Sequence, residues 1–314
     1  MNHDLSRRTV LAAAGATGAM FAGAVDVNAA KSTSEGDPFS YCLNTSTIRG
    51  KNLDIVAELE VTAKAGYDGI EIWLRKLHAY VENGGKLSEL RKRIEDLGLT
   101  VESAIGFARW IVDDDAERAK GLEEAKRDMD ALAQIGAKRI AAPPAGATRE
   151  PGLDLFKAAE RYRKLLEIGD QTGVVPQVEI WGPSANLHRL GEAVLVAVEA
   201  DHPKACLLPD VYHIFRGGSG FEGLGLLAGD FIQVFHFNDY PAEPPRTEMN
   251  DSHRVYPGDG VAPITSIIEM LLANGSTAAL SLELFNRDYW AQDPLHVAKT
   301  GLAKMKNEVR KALA

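Results

Sequence analysis

The chain holds only two cysteines in 314 residues, Cys42 and Cys206. They allow at most one disulfide. They fall on the first and sixth strands of the reading below, which are not neighbours, so each reads as a small core residue. Basic runs are missing too. A net charge of −9 without a basic stripe excludes a nucleic-acid partner. No G-x-G-x-x-G turn follows an early strand: the first turn is Thr45-Ser46-Thr47-Ile48-Arg49-Gly50, which counts against a dinucleotide-binding open sheet. Heptads, low-complexity tracts and repeats of roughly 20–50 residues are absent. Hydrophobic content of 45% and charged content of 25% are those of an ordinary globular protein.

The one long apolar stretch lies at the N-terminus. Ser6-Arg7-Arg8-Thr9-Val10-Leu11 resembles the twin-arginine export motif. An Ala/Gly-rich run from Leu11 to about Val25 follows, and Val27, Ala29 and Ala30 suit a signal peptidase. The run is short and glycine-rich for a membrane span, which needs about 20 residues. Residues 1–30 are therefore expected to be an export leader, and residues 31–314 one mature catalytic domain. The mature protein is expected outside the cytoplasm, with no membrane span. Twin-arginine export carries folded proteins, often with a cofactor inserted, which agrees with a metal site.

The rest alternates. Strand-like runs at Phe39–Asn44, Gly69–Leu74, Thr100–Phe107 and Arg139–Pro144 are separated by helical patterns at Leu53–Ala65, Leu87–Leu97, Ala116–Ile135 and Leu153–Thr172. Gly136 and Gly173 stand where two of these should stop. Four more strands follow, with helices expected at Asn186–Ala200, roughly Phe221–Ala228, Pro263–Asn274 and Pro294–Leu313. Strict alternation implies a parallel sheet, and eight units suit an α/β fold of the (β/α)8 TIM-barrel type, typically about 250 residues.

The last four strands each carry a metal-competent side chain at the C-terminal end: Glu179, Asp210, His236 and Glu283. In a barrel these ends converge on the mouth. A charge ending an apolar strand is costly to bury alone. Three carboxylates and one imidazole make a site for one divalent cation. Manganese, magnesium, cobalt or iron(II) is favoured, and zinc is compatible although no thiolate selects it.

Gly66-Tyr67-Asp68-Gly69-Ile70-Glu71-Ile72, the pair Asp210 and His213, His236-Phe237-Asn238-Asp239, and Arg254-Val255-Tyr256-Pro257-Gly258-Asp259-Gly260 carry a family resemblance. The mature chain resembles the sugar isomerase/epimerase superfamily of xylose-isomerase-like barrels, and within it inosose isomerases and ketose 3-epimerases. The resemblance implies that Glu179, Asp210, His236 and Glu283 hold the metal, that Glu179 and Glu283 are the catalytic acid–base pair, and that His213 and Arg254 hold substrate oxygens. The implied reaction moves a proton beside a polarised carbonyl through an enediolate. The expected partner is a small sugar or cyclitol. It is expected to be unphosphorylated, since Arg246 and Arg254 are the few candidate basic groups. Barrels of this family are often oligomeric, so a homo-oligomer is an expectation by analogy.

Other mouth residues are weaker candidates. Glu71, Trp110, Trp181 and His188 are candidates for substrate binding, against salt-bridge, core or surface roles. Asp239, Asp251 and His253 are candidates to support His236, the last two also to form a second metal site. A nucleic-acid repair enzyme on the same barrel is excluded, because strands three and four end in Gly106-Phe107-Ala108 and Pro143-Pro144-Ala145, without histidine. Two rivals stay open: a lyase or glycoside-cleaving enzyme acting on a 3-keto sugar, and a non-catalytic sugar-binding protein.

Overall fold

The computed structural model describes residues 37–314; the expected leader at residues 1–30 lies outside them. Eight strands follow the order of the sequence: β1 (Ser40–Asn44), β2 (Gly69–Trp73), β3 (Thr100–Ile105), β4 (Arg139–Ala142), β5 (Val175–Glu179), β6 (Leu207–Leu208), β7 (Val234–His236) and β8 (Ala279–Leu282). One parallel ladder runs β3-β2-β1-β8-β7 and a second runs β4-β5-β6. Parallel bridges Leu207–Ile232 and Asp210–His236 join the second ladder to β7. Between β3 and β4, the Lys138 amide donates to the Val101 carbonyl at 3.1 Å. The strands thus form the expected barrel.

Strand alternation makes two apolar layers. Cys42, Ile105, Ala141, Leu208, Val234 and Ala279 pack together inside the barrel. Leu43, Ile70, Ile72, Ile140, Val178 and Leu280 belong to the larger core beneath the helices. Each large aliphatic side chain buried there contributes about 1.5–3 kcal/mol. Both cysteines are buried and free.

The helices start and stop where local chemistry directs. Asp54 caps Ile55–Ala65 by accepting the Ala57 amide at 2.8 Å, and Asp154 caps Leu155–Thr172. That second helix ends at Gly173, whose φ of 80° is left-handed. Several segments differ from the sequence reading. Leu74–Glu82 is an additional helix that buries Leu74 and Leu77. The helix expected from Asn186 begins only at Leu190, because the Asn186 amide is tied to the Ala147 and Glu150 carbonyls and Leu187 turns left-handed at φ 51°. After β6 the helix is Val211–Gly217, capped by Asp210. The glycine-rich stretch expected to be helical, Phe221–Ala228, holds only a short 3-10 turn, Glu222–Leu226. No helix among the described residues is long and apolar enough to cross a membrane.

Candidate metal centre at the barrel mouth

Asn44, Glu179, Asp210, His236 and Glu283 stand at or just beyond strand C-termini, and Glu71 lies in the middle of β2. Strand register sets them at one level: Asn44 pairs with Glu71, and Asp210 bridges to His236. All six are buried.

His236 is the centre. Its Nε2 lies 2.9 Å from Glu71 Oε2. That oxygen also accepts from Asn44 Nδ2 at 2.7 Å and Ser281 Oγ at 2.9 Å. A carboxylate oxygen held this way fixes the proton on Nε2 and leaves Nδ1 with its lone pair. Nδ1 is buried without a hydrogen-bond partner. It faces Glu283 Oε2 at 3.2 Å, Asp210 Oδ2 at 3.5 Å and Glu179 Oε1 at 3.9 Å. A lone pair opposed to carboxylate oxygens demands positive charge between them, supplied by a proton or a cation. Ligand atoms of Asp210, His236 and Glu283 all lie within 4.8 Å of one another, and Glu179 adjoins that triad. Three oxygens and one imidazole nitrogen fit a divalent cation.

The ionisation of these groups reflects the same geometry. Burial disfavours a charged His236, but Glu283 and Glu71 outweigh it and lift His236 well above the ordinary histidine range. Burial pushes Glu179 up to about 8, with His236 opposing and Glu283 adding to the rise. Burial also acts against Asp210 and Glu283. There, Arg254 and His213 hold Asp210 well below the usual carboxylate range, and His236 and Arg254 lower Glu283.

Arg254 is 1% exposed and compensates the acidic cluster. Its Nη1 donates to Asp210 Oδ2 at 2.9 Å and to Glu283 Oε2 at 2.7 Å. Its Nη2 donates to Asp251 Oδ1 at 2.6 Å and lies 2.9 Å from His213 Nε2. Asp239 fixes the segment that carries this arginine. Its carboxylate accepts four backbone amides, from Tyr240, Gly258, Gly260 and Ala262, at 2.7–3.0 Å. Its own backbone bridges to Val255. A Cβ at Gly260 would overlap the Tyr240 carbonyl, so the loop needs glycine there.

A cavity of about 270 Å³ opens above the cluster. Glu179, His213, Asp251, Arg254 and Glu283 line its polar side, and Trp73, Ile105, Phe107, Trp181, Pro183 and Phe285 its apolar side. Among the sequence candidates, Glu179, Asp210, His236, Glu283, His213, Arg254, Asp251 and Trp181 are thus brought together. Five others are placed differently. Glu71 is fully buried and bound to Asn44, Ser281 and His236, so it meets the histidine rather than a substrate. Trp110 is 1% exposed and donates to the Pro143 carbonyl at 2.8 Å, as a core residue against Tyr162. His188 pairs with Glu192 outside the cavity. Asp239 holds the Arg254 loop, not His236. His253 folds back on Asn250 within its own turn. Among the described residues, Asp251 and His253 are not part of a metal-competent cluster. Asn44, Asn238, Trp73, Phe107 and Phe285 were not among the candidates. Asn238 donates to Asp210 Oδ2 at 3.1 Å. The same strand-end rule that found the carboxylates, applied to uncharged residues, would have reached Asn44 and Trp73.

Residues 59–308 match the family described as xylose isomerase-like TIM barrel. The chain belongs to that family. An inosose isomerase of Bacillus licheniformis is 26% identical over 265 residues, covering 82% of this chain and 94% of that protein. A 3-dehydro-D-guloside 4-epimerase of Escherichia coli is 25% identical over 266 residues, covering 80% and 93%. A 3-dehydroshikimate dehydratase of Pseudomonas aeruginosa is 27% identical over 257 residues, covering 79% of this chain and 39% of that protein. The crystal structure of the IOLI protein with a bound zinc atom superposes with a TM-score of 0.81 at 22% identity, covering 87% and 99%. The relatives comprise an isomerase, an epimerase and a dehydratase, so the chain sits in a family of enzymes.

Proposed function

We propose that this protein is a divalent-metal-dependent isomerase or epimerase of an unphosphorylated keto sugar or cyclitol. One observation carries the reading: the buried Nδ1 of His236, without a hydrogen-bond partner, faces three carboxylates at 3.2–3.9 Å. Asp210, His236 and Glu283 would hold the ion, with Glu179 as a fourth ligand. Manganese, magnesium, cobalt, iron(II) and zinc all suit this donor set, zinc being the metal bound in the IOLI protein. A bound ion supplies polarisation of a carbonyl and stabilises negative charge developing on its oxygen.

The chain's own residues supply the rest. Glu179 and Glu283 line the cavity from β5 and β8 and are the groups that take and return a proton on the carbon beside the carbonyl. His213 and Arg254 present nitrogen to the same space and orient substrate oxygens. Return of the proton to the opposite face gives epimerisation, and to the neighbouring carbon isomerisation. Arg254 is the one arginine lining the cavity, and it is committed to Asp210, Glu283 and Asp251. These ion pairs leave Arg254 little to offer a phosphate, which supports an unphosphorylated substrate; Arg49, stacked on Trp73 at 4.0 Å with its Nη2 unpartnered, is a second cation beside the apolar wall.

A second reading rests on the dehydratase relative. The same proton removal, followed by loss of a β-substituent, makes the protein a lyase on a 3-keto sugar. Proton-exchange NMR in heavy water, on the metal-loaded protein with keto sugars, inososes and 3-keto glycosides, tests both. Metal-dependent deuterium beside the carbonyl without cleavage supports isomerase or epimerase. A released fragment shifts the assignment to lyase, and binding without exchange on any substrate overturns both in favour of a binding protein. We also propose export through the leader at residues 1–30; cytoplasmic retention of the native chain on fractionation would sink that part.

A further inference from the structure

The apolar side of the cavity is more than a lid over the metal centre. Trp73, Phe107 and Trp181 form a row, with ring centroids 5.6 Å and 6.0 Å apart. Phe285 extends it beyond Trp73, at 6.1 Å. Phe107 is 43% exposed at the rim, and core packing does not account for a large aromatic ring left in that position. Arg49 lies over Trp73 at 4.0 Å and over Phe285 at 5.2 Å, so the stretch with few hydrogen-bonding groups is the one around Phe107. The indole N–H of Trp73 is already donated to Asn44 Oδ1 at 3.0 Å, and Ile105, Phe107, Pro183 and Phe285 have no polar side-chain atom.

A free hexose or inosose carries oxygen on almost every ring carbon. Seated with its carbonyl at Glu179 and Glu283, it would turn part of that oxygen toward carbon walls and bury it without partners, which is costly. An apolar substituent meets the opposite condition. It loses contact with water and gains ring faces on which to stack.

We propose that the substrate is a keto-sugar glycoside whose aglycone is apolar, and that the aglycone lies along Trp73, Phe107 and Trp181 while the sugar faces the polar side. This deepens the proposed function and rests on it for the placement of the sugar. The rim position of Phe107 makes it a specificity-determining residue rather than a catalytic one.

Methyl and phenyl 3-dehydroglucosides are the probes. Calorimetry on the metal-loaded protein should give about tenfold tighter binding of the phenyl compound. Phe107→Ala should remove that preference by weakening the phenyl compound alone. Phe107→Tyr, which keeps the ring, should retain it. Equal affinity of the two probes for the native protein, or an undiminished preference in Phe107→Ala, overturns the proposal. Deuterium exchange on the same probes separates the two readings. A Phe107-dependent phenyl preference without exchange leaves the aromatic subsite standing and the isomerase reading fallen. Exchange on both probes at equal KM, in native protein and variant alike, does the reverse.

Discussion

Glu71 on β2 reaches across the barrel to His236 on β7, its Oε2 2.9 Å from the imidazole Nε2. This contact decides which ring nitrogen is free to face Asp210, Glu179 and Glu283. Its removal should show in metal affinity before anything else. Glu71→Gln keeps the shape but loses the carboxylate that fixes the tautomer. The variant is expected to bind Mn²⁺ or Zn²⁺ about 10–100-fold more weakly, with unchanged circular dichroism. Titration of metal-free protein measures it, and native affinity in Glu71→Gln would refute the assignment.

The four candidate ligands were legible in the sequence because one rule finds them all: strand C-termini converge at the mouth of a parallel barrel. The partner of His236 was not. Which residue faces β7 from β2 depends on how the barrel closes, and spacing along the chain carries no such information. Trp110 and Phe107 show the same limit. Both follow β3, yet Trp110 turns under the loop to the Pro143 carbonyl and Phe107 turns into the mouth. The outcome is set by neighbouring loops. Asp239 was legible as an acid in a matched motif but not in its role, since three of its four amide donors come from a loop some twenty residues further on.

Arg254 neutralises a cluster that would otherwise hold several buried negative charges. In metal-free protein, Arg254→Ala should cost about 3–5 kcal/mol, the range for removing one partner of a buried ion pair. A divalent cation should then recover more stability in the variant than in the native protein, because it takes over the missing charge. Denaturant melts with and without Mn²⁺ check this. An equal metal-induced shift in both proteins would count against the charge argument. Turnover should stay low in either state, since the cation replaces the charge and not the guanidinium hydrogen bonds.

Asp239 touches neither the ligands nor the cavity, so its effect on activity must pass through the Arg254 loop. Asp239→Ala leaves four amides without their acceptor and should destabilise the protein by about 2–4 kcal/mol. Asp239→Asn keeps one acceptor oxygen and should be milder. If the loop positions Arg254 on substrate, KM should rise more than kcat falls in the asparagine variant. An unchanged KM would reduce Asp239 to a purely structural anchor.

Glu58 gives a pH test away from the metal centre. It is 2% exposed, its Oε2 has no partner, and Lys76 stands 4.0 Å from its other oxygen. Burial raises its pKa to about 7, with Lys76 opposing. Below the ordinary glutamate value both folded and unfolded chains hold the proton. Between that value and about 7 only the folded chain holds it. The unfolded chain therefore binds fewer protons, and stability falls as pH rises through this window, by up to about 3 kcal/mol. Glu58→Gln carries no such proton. It should match the native protein near pH 4 and exceed it progressively up to pH 7 and above. Urea unfolding of metal-free protein at a series of pH values reads the difference directly. Parallel stability curves for the two proteins would mean that Glu58 is ionised in the folded state and that Lys76 outweighs its burial.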